Sequence, residues 1–163
     1  MADKTIWAPW RSGFILGEKE KGCIFCRLLR QKKNTPANLV LHRDDHGFVL
    51  LNKYPYNCGH LLVVPNRHVG ALERLTEEEA TALMTLTQTA VRVMKQTLKP
   101  SAFNLGMNLG RPAGAGVPGH LHMHIVPRWV GDSNFMPIIG RTRVHSIPME
   151  KIYQTLAEGF ARL

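Results

Sequence analysis

Three histidines alternate with apolar residues near position 120, and this alternation is the strongest constraint on the fold. The stretch 119–128 reads GHLHMHIVPR. Because successive side chains of a strand point to opposite faces, the pattern predicts a β-strand with His120, His122 and His124 on one face. The opposite face would carry Leu121, Met123 and Ile125. Such a strand belongs in a sheet whose apolar face is covered.

Four further segments have strand character. Residues 38–43 and 47–53 are separated by a short polar turn and predict a hairpin. The continuous apolar run 60–65 predicts a strand that is covered on both faces. Residues 103–110 predict a strand that precedes the glycine-rich loop 111–119.

One long helix stands out among the helical patterns. Thr76 and Glu79 form a capping box, and the helix that they open runs to about Leu98. A short helix is expected within 23–33 and a C-terminal helix on 149–162. The inner face of the long helix would carry Ala80, Leu83, Leu86, Ala90, Val93 and Met94. Together with the strands, these helices indicate an α+β fold.

The 163 residues are expected to form one domain, with residues 1–22 as an N-terminal arm that carries Trp7 and Trp10. No apolar run reaches the roughly 20 residues that span a bilayer, and the N-terminus does not resemble a signal peptide, so a cytoplasmic location is expected. The net charge of +9 favours anionic partners. The basic residues are dispersed rather than clustered, which favours nucleotides over nucleic acid.

The histidine row has three possible interpretations: a chemically active site, ordinary surface histidines and a metal site. An imidazole is a usable nucleophile or proton donor near neutral pH, and on phosphorus it forms a covalent intermediate. The alternatives are ordinary surface histidines and a metal site made by the row itself. The preceding loop carries Gly110, Gly114, Gly116 and Gly119, whose backbone N–H groups can turn towards an anion. A phosphate site beside a nucleophile is therefore the favoured interpretation.

The cysteines allow more than one interpretation. Cys23 and Cys26 form a CxxC pair, and Cys58 stands alone. The odd number argues against a disulfide framework. The pair is compatible with zinc binding, with redox chemistry or with two reduced, partly buried thiols, and a closed zinc site would need two further ligands.

These residues resemble a known family. The stretch AGAGVPGHLHMHIVPRW is similar to the motif of the histidine triad (HIT) superfamily, and HRDDHGFVLLNKYPYNCGHLLVVPNRHV is similar to its N-terminal half. WAPWRSGFI followed by CIFC, and GDSNFMPIIGRTRV after the triad, resemble the prokaryotic branch related to diadenosine tetraphosphate phosphorylases and Fhit-type hydrolases. The resemblance covers nearly the whole chain. It implies a HIT-like fold, with an antiparallel five-stranded sheet, one long helix and a short C-terminal helix.

The resemblance also implies residue roles. His122 would attack the α-phosphorus of a nucleotide and become a nucleotidyl-histidine, His124 would contact the phosphate or the departing group, and His120 would support the site. Asn52 would bind the ribose, His60 and Leu62 would flank the base pocket, and Asn108 would touch the phosphate. Where the family has a phosphate-contacting Gln or Ser, this chain has Ala115 and Gly116 behind Gly114, and Gly119 is inserted before the triad. Backbone amides of that loop would replace the missing side chain.

Members of the branch that carry CxxC bind zinc, and the implied ligands here are Cys23, Cys26, His68 and His120. The implied function is cleavage of dinucleoside polyphosphates by a hydrolase, or by a phosphorylase that uses inorganic phosphate. A magnesium ion is possible with the substrate, and a homodimer or larger homo-oligomer is implied. A nucleotide-binding signalling module with weak activity and a basic nucleic-acid binder remain as alternatives.

Overall fold

The computed structural model describes residues 22–132, 145 and 147–163. The expected arm, apart from Gly22, lies outside the described residues, as do the loop residues 133–144 and Ser146. The single domain over 1–163 therefore stays a prediction. The elements in chain order are α1 (Ile24–Arg30), β1 (Val40–Arg43), β2 (Gly47–Leu51), β3 (Leu61–Pro65), α2 (Glu77–Thr97), β4 (Ala102–Gly106), β5 (Met123–Arg128) and α3 (Met149–Phe160).

The five strands form one antiparallel sheet in the order β1-β2-β3-β5-β4. The predicted β1–β2 hairpin is confirmed, and the Asp44 side chain stabilises its turn by accepting from the amides of His46 and Gly47. The histidine-bearing strand β5 lies between β3 and β4, where His124 is opposite both Leu62 and Gly106. This central position fixes the strand on both edges.

Helices α2 and α3 cover one face of the sheet. The predicted capping box is present, because Thr76 accepts from the Glu79 amide and the Glu79 carboxylate accepts from the Thr76 amide. Among the described residues, no helix combines the length and apolar character that crossing a membrane requires. The buried side chains of this face are Leu41, Val49, Leu51, Leu61, Val63, Leu83, Leu86, Ala90, Val93, Met94, Ile125, Ile152, Tyr153, Leu156 and Phe160.

The short helix α1 lies against the opposite face. Its Phe25 and Leu28 are buried in a second apolar cluster that includes Leu62. Strand β3 is therefore buried along its whole length, as its continuous apolar run predicts. The other buried members of this cluster are Val40, Phe48, Leu50 and Val64.

Some element bounds differ from the prediction. Strand β4 ends at Gly106 rather than at residue 110, and β5 begins only at Met123. The Leu121 amide donates to the carbonyl oxygen of Val69, outside the sheet, so His120 and His122 precede the strand. On α2, Ala80 is exposed rather than part of the inner face, because the buried stripe begins one turn later, at Leu83. Helix α1 ends at Arg30, three residues earlier than the predicted limit of 33.

Candidate active site and metal cluster

The three histidines of the row are close together although only His124 lies within β5. The ring centroids of His122 and His124 are 5.0 Å apart. His120 is fully buried and His122 is 7% exposed, so neither is a surface residue. Phe25 of α1 packs edge-on against His120 and at a tilt against His122. The predicted row is thus formed by the start of β5 and the segment before it.

His122 is held with one ring nitrogen available for chemistry. Its Nδ1 lies 2.9 Å from the carbonyl oxygen of His120. Because a carbonyl oxygen only accepts, Nδ1 carries the proton and Nε2 keeps its lone pair. Burial lowers the pKa of His122 below its usual value, which keeps the ring neutral at neutral pH. A neutral imidazole with a bare Nε2 is the form that attacks an electrophile.

His124 has the opposite tautomer. The Tyr56 amide donates to Nδ1 of His60 over 3.0 Å, so the proton of His60 lies on Nε2. That Nε2 is 2.9 Å from Nδ1 of His124 and donates to it. The proton of His124 therefore lies on its own Nε2. In the described part of the chain, this buried Nε2 has no hydrogen-bond partner.

Burial and the neighbouring rings keep both of these histidines neutral. Burial, followed by the charges of His124 and His122, lowers the pKa of His60 to about 3. Burial, followed by the charge of His122, lowers the pKa of His124 to about 4. The arrangement thus offers a lone pair on His122 and an N–H donor on His124, side by side on one surface.

The structure places His60 and Asn52 behind His124. His60 is fully buried. The side-chain amide of Asn52 lies 3.2 Å from Nδ1 of His60, and its carbonyl oxygen accepts from the Tyr54 amide. Leu62, which was expected beside a base, is buried in the apolar cluster under α1. The β2–β3 turn and the start of β3 thus form one support for the end of the histidine row.

The glycine-rich loop differs from the expectation. Gly110 and Gly114 have positive φ angles of 84° and 93°, which favour glycine. The Gly114 amide donates to the Arg111 carbonyl oxygen, and the Ala115 amide donates to that of Gly110. These two amides therefore point into the loop rather than towards an anion. Within the described residues, the Gly116 amide has no such partner, and the Asn108 side chain is only 3.5 Å from the Gly114 carbonyl oxygen.

Four residues at the other end of the row form a metal-ligand cluster. Cys23, Cys26, His68 and His120 offer ligand atoms that all lie within 4.8 Å of one another. Sγ of Cys23 is 3.3 Å from Nδ1 of His120, and Sγ of Cys26 is 3.2 Å from Nδ1 of His68. Neighbouring ligand atoms around tetrahedral zinc are about 3.3–3.8 Å apart, from the usual Zn–N and Zn–S bond lengths. The cluster has the composition and the spacing of a zinc site.

The tautomer of His120 fits the same interpretation. Its Nε2 donates to the Pro65 carbonyl oxygen over 2.8 Å, which leaves the lone pair of Nδ1 directed at the two thiols. Gly70 allows the segment that carries His68 to approach, because a Cβ there would lie 2.7 Å from the Pro118 carbonyl oxygen. The sequence motif supplied the two cysteines, whereas the two histidines followed from the family resemblance.

Other residues around the site were not singled out by the sequence analysis. The Tyr56 ring stacks on His124 at a centroid distance of 5.6 Å and an interplanar angle of 17°. Asn57 and Asp132 are hydrogen-bonded to each other although they are 75 residues apart in the chain. The spacing of residues in the sequence gives no signal for any of these contacts, because they depend on how β3 and β5 pair.

A family model and two curated enzymes match most or much of this chain. The HIT domain family model matches residues 32–130. An AP-4-A phosphorylase of Mycobacterium tuberculosis is 48% identical over 124 residues, which are 76% of this chain and 64% of that protein. An asymmetrical bis(5'-nucleosyl)-tetraphosphatase of Schizosaccharomyces pombe is 38% identical over 93 residues, 57% of this chain and 50% of that protein. The chain thus spans less than two thirds of either relative.

A solved structure shows the same fold. It is a Zn-bound histidine triad family protein from Mycobacterium smegmatis, which superposes with a TM-score of 0.69 at 23% identity. The match covers 86% of this chain and 94% of that one. The predicted α+β fold with a five-stranded antiparallel sheet is confirmed by the strand order and by this likeness.

Proposed function

The chain belongs to the HIT domain family, and from this membership and the histidine geometry we propose that it cleaves dinucleoside polyphosphates, such as diadenosine tetraphosphate, at the α-phosphorus. The observation that carries the proposal is the pair of opposite tautomers on His122 and His124. The names of the two similar enzymes, an AP-4-A phosphorylase and a dinucleoside tetraphosphatase, support the substrate class.

The proposed reaction has two steps. In the first, the Nε2 lone pair of His122 attacks the α-phosphorus, a P–N bond forms, and the P–O bond to the leaving phosphate breaks. The Nε2–H of His124 donates to the leaving oxygen as its charge develops. In the second step, an oxygen of water or of inorganic phosphate attacks the same phosphorus, a P–O bond forms, and the P–N bond breaks. The electron pair returns to Nε2 of His122, and the nucleotide is released. His120 takes no direct part but holds Nδ1 of His122 through its carbonyl oxygen.

The nucleotide-binding roles are proposals of the same kind. Asn52 is proposed to bind the ribose, with Leu62 and His60 on the base side. Asn108 and the Gly116 amide are proposed to hold the phosphate, and Gly114 and Ala115 shape that loop from within. Magnesium receives no support, because the metal-ligand cluster found among the described residues offers thiols and imidazoles rather than the oxygen ligands that magnesium prefers.

The oxygen nucleophile of the second step distinguishes a hydrolase from a phosphorylase. The 48% identity to an AP-4-A phosphorylase favours inorganic phosphate as the acceptor. Product analysis of diadenosine tetraphosphate turnover, with and without inorganic phosphate, decides between them. Formation of ADP only when phosphate is present identifies a phosphorylase, whereas AMP and ATP without phosphate identify an asymmetrical hydrolase. Binding without turnover in either condition would leave the signalling-module alternative.

The assignment of the nucleophile is tested by substitution. We expect His122→Ala to abolish turnover while nucleotide binding stays measurable. The matched control is His46→Ala, which changes an exposed histidine at the β1–β2 turn and should leave turnover intact. Rapid quenching with labelled substrate should trap an acid-labile adduct on the wild-type protein. Near-wild-type activity of the His122 variant would remove the proposed mechanism.

We propose zinc as the metal of the Cys23, Cys26, His68 and His120 cluster. The mixed thiolate and imidazole set suits zinc, and such a site would tie α1 to the segment before β5. The described cysteines are unpaired, which fits a reducing compartment and hence the proposed cytoplasmic location. Zinc here is structural, because the four ligands leave no open position for a substrate.

We also propose a homodimer, or a larger homo-oligomer, that joins sheets through β4. Strand β4 is at the edge of the sheet, and four of its five residues are exposed. Leu105 on this strand is 52% exposed. An exposed edge strand is a ready template for pairing with a second copy. Sedimentation of the wild-type protein and of Leu105→Lys tests this proposal, and a wild-type monomer would contradict it.

A further inference from the structure

Asp132 lies at the centre of a hydrogen-bond network just beyond β5. Its carboxylate accepts from Nε and Nη2 of Arg128, both over 2.7 Å, and from the Trp129 amide over 3.0 Å. A fourth donor is the side-chain amide of Asn57, at 2.8 Å. The Asp132 side chain is only 11% exposed. Four donors on one largely enclosed carboxylate are more than a surface ion pair requires.

Asn57 carries this network into the turn between β2 and β3. Its side-chain amide also donates to the Pro127 carbonyl oxygen, over 3.0 Å, while its side-chain oxygen accepts from the Cys58 amide. Its backbone carbonyl oxygen accepts from the His60 amide. Asn57 thus ties the turn to β5 by its side chain and holds the backbone of His60 at the same time.

The position of His60 in turn sets the proton on His124. While Nδ1 of His60 accepts from the Tyr56 amide, its Nε2 carries the proton that is donated to His124. A displaced turn would break one of these two contacts. His124 could then carry its proton on Nδ1, and its Nε2 would no longer be a donor.

We infer that Asp132 is a positioning residue that keeps the proton of His124 on Nε2, acting through Asn57 and His60. The inference rests on the proposed function for its catalytic consequence but not for its structural one. Arg128 anchors the same carboxylate to the neighbouring strand, because its Nη1 donates to the Asn104 side chain on β4. The hydrogen bonds from Arg128 also hold the pKa of Asp132 well below its usual range, so the carboxylate stays ionised.

The test substitution is Asp132→Asn, which preserves size but replaces one acceptor oxygen by a donor. In place of Oδ1, the new amide nitrogen would face the donor Nη2 of Arg128. In place of Oδ2, it would face the donating amides of Asn57 and Trp129. The matched control is Glu79→Gln. Glu79 forms a similarly short two-pronged pair with Arg67 and also accepts from the Thr76 amide. It lies in the first turn of α2.

We expect Asp132→Asn to lower kcat about tenfold with KM changed less than twofold, as misplacing a reacting group by a fraction of an ångström does. Ring ¹⁵N chemical shifts of the histidines, measured by NMR without substrate, should show His124 changing from protonated Nε2 to a mixture of tautomers. Asp132→Glu should restore the protonated Nε2 in part. Glu79→Gln should leave both kcat and the tautomers unchanged.

Two results would overturn the inference. One is a variant in which kcat falls but His124 keeps its proton on Nε2; the other is a variant that matches Glu79→Gln in both readouts. If Asp132→Asn does not fold, Asn57→Ala serves instead, because it cuts the link while leaving the Arg128–Asp132 pair in place. The NMR readout needs no turnover, so failure of the proposed function would not hide the outcome.

Discussion

The low pKa of His60 makes the stability of the protein depend on pH in a way that a single substitution can isolate. His60 is fully buried, and its folded-state pKa is about 3 instead of the usual 6.5. The groups that face it are the rings of His124, His122 and Tyr56 and the amide of Asn52. Among these groups there is no carboxylate that could stabilise a protonated His60.

The direction of this pH dependence follows from which state, folded or unfolded, binds the proton more readily. Below pH 6.5 the unfolded chain protonates His60, while the folded chain stays unprotonated until about pH 3. The contribution of His60 to the free energy of unfolding is therefore present above pH 6.5 and is lost as the pH falls towards 3. Between pH 7 and pH 5 the linkage relation gives a loss of about 2 kcal/mol from this residue alone.

The assay is urea unfolding of the wild type and of His60→Gln at pH 7 and pH 5. Glutamine can accept from the Tyr56 amide and donate to His124, but it does not titrate. Both proteins share every other acid-sensitive group, including the four residues of the Cys/His cluster, so the difference between their two pH-dependent losses isolates His60. We expect the wild type to lose about 2 kcal/mol more than the variant. Equal losses in the two proteins would refute the claim that His60 is buried and neutral.

Three further outcomes test other parts of the structure. Purified protein should contain about one zinc per chain by elemental analysis, as a closed four-ligand site requires, with Cys26→Ser losing the metal and Cys58→Ser retaining it. Gly159→Ala should destabilise the fold by about 1–3 kcal/mol, because its new Cβ would lie 2.7 Å from Val93 on α2, whereas Gly116→Ala has open space; urea unfolding checks both. Thr76→Ala should lose about 1 kcal/mol in the same assay by removing the helix cap, and an unchanged midpoint would contradict that role.

The elements that the sequence predicts well are those set by local chemistry. The capping box at Thr76 places the start of α2 to the residue, because its hydrogen bonds join residues three apart. The alternation at 120–125 predicts that the three histidines lie close together, but it misplaces the start of the strand at residue 120, because β5 begins at Met123. Strand β5 can begin only where β3 and β4 offer partners, and β4 ends at Gly106. A local sequence pattern cannot predict which distant segments pair with a strand.

The candidate site also has features that the sequence predicts and features that depend on the folded structure. The residue types of the histidine row and of the CxxC pair suggested the proposed chemistry, and the structure brings His122 beside His124 and the two cysteines beside His68 and His120. Their protonation does not follow from residue type, because the tautomer of His124 depends on a backbone amide in another turn. The prediction for Gly114 and Ala115 was wrong. The glycine-rich composition suggested backbone amides that face an anion, whereas both amides donate hydrogen bonds within their own loop.

His120 serves two neighbours at once. Its ring faces the two thiols, and its carbonyl oxygen receives the proton-bearing nitrogen of His122. If the cluster holds zinc as proposed, a rotation of the His120 peptide after loss of the ion would reach His122 through one covalent unit, without any movement of the sheet. On that proposal, removing the zinc should disturb the ring of His122 at temperatures where the rest of the protein is still folded.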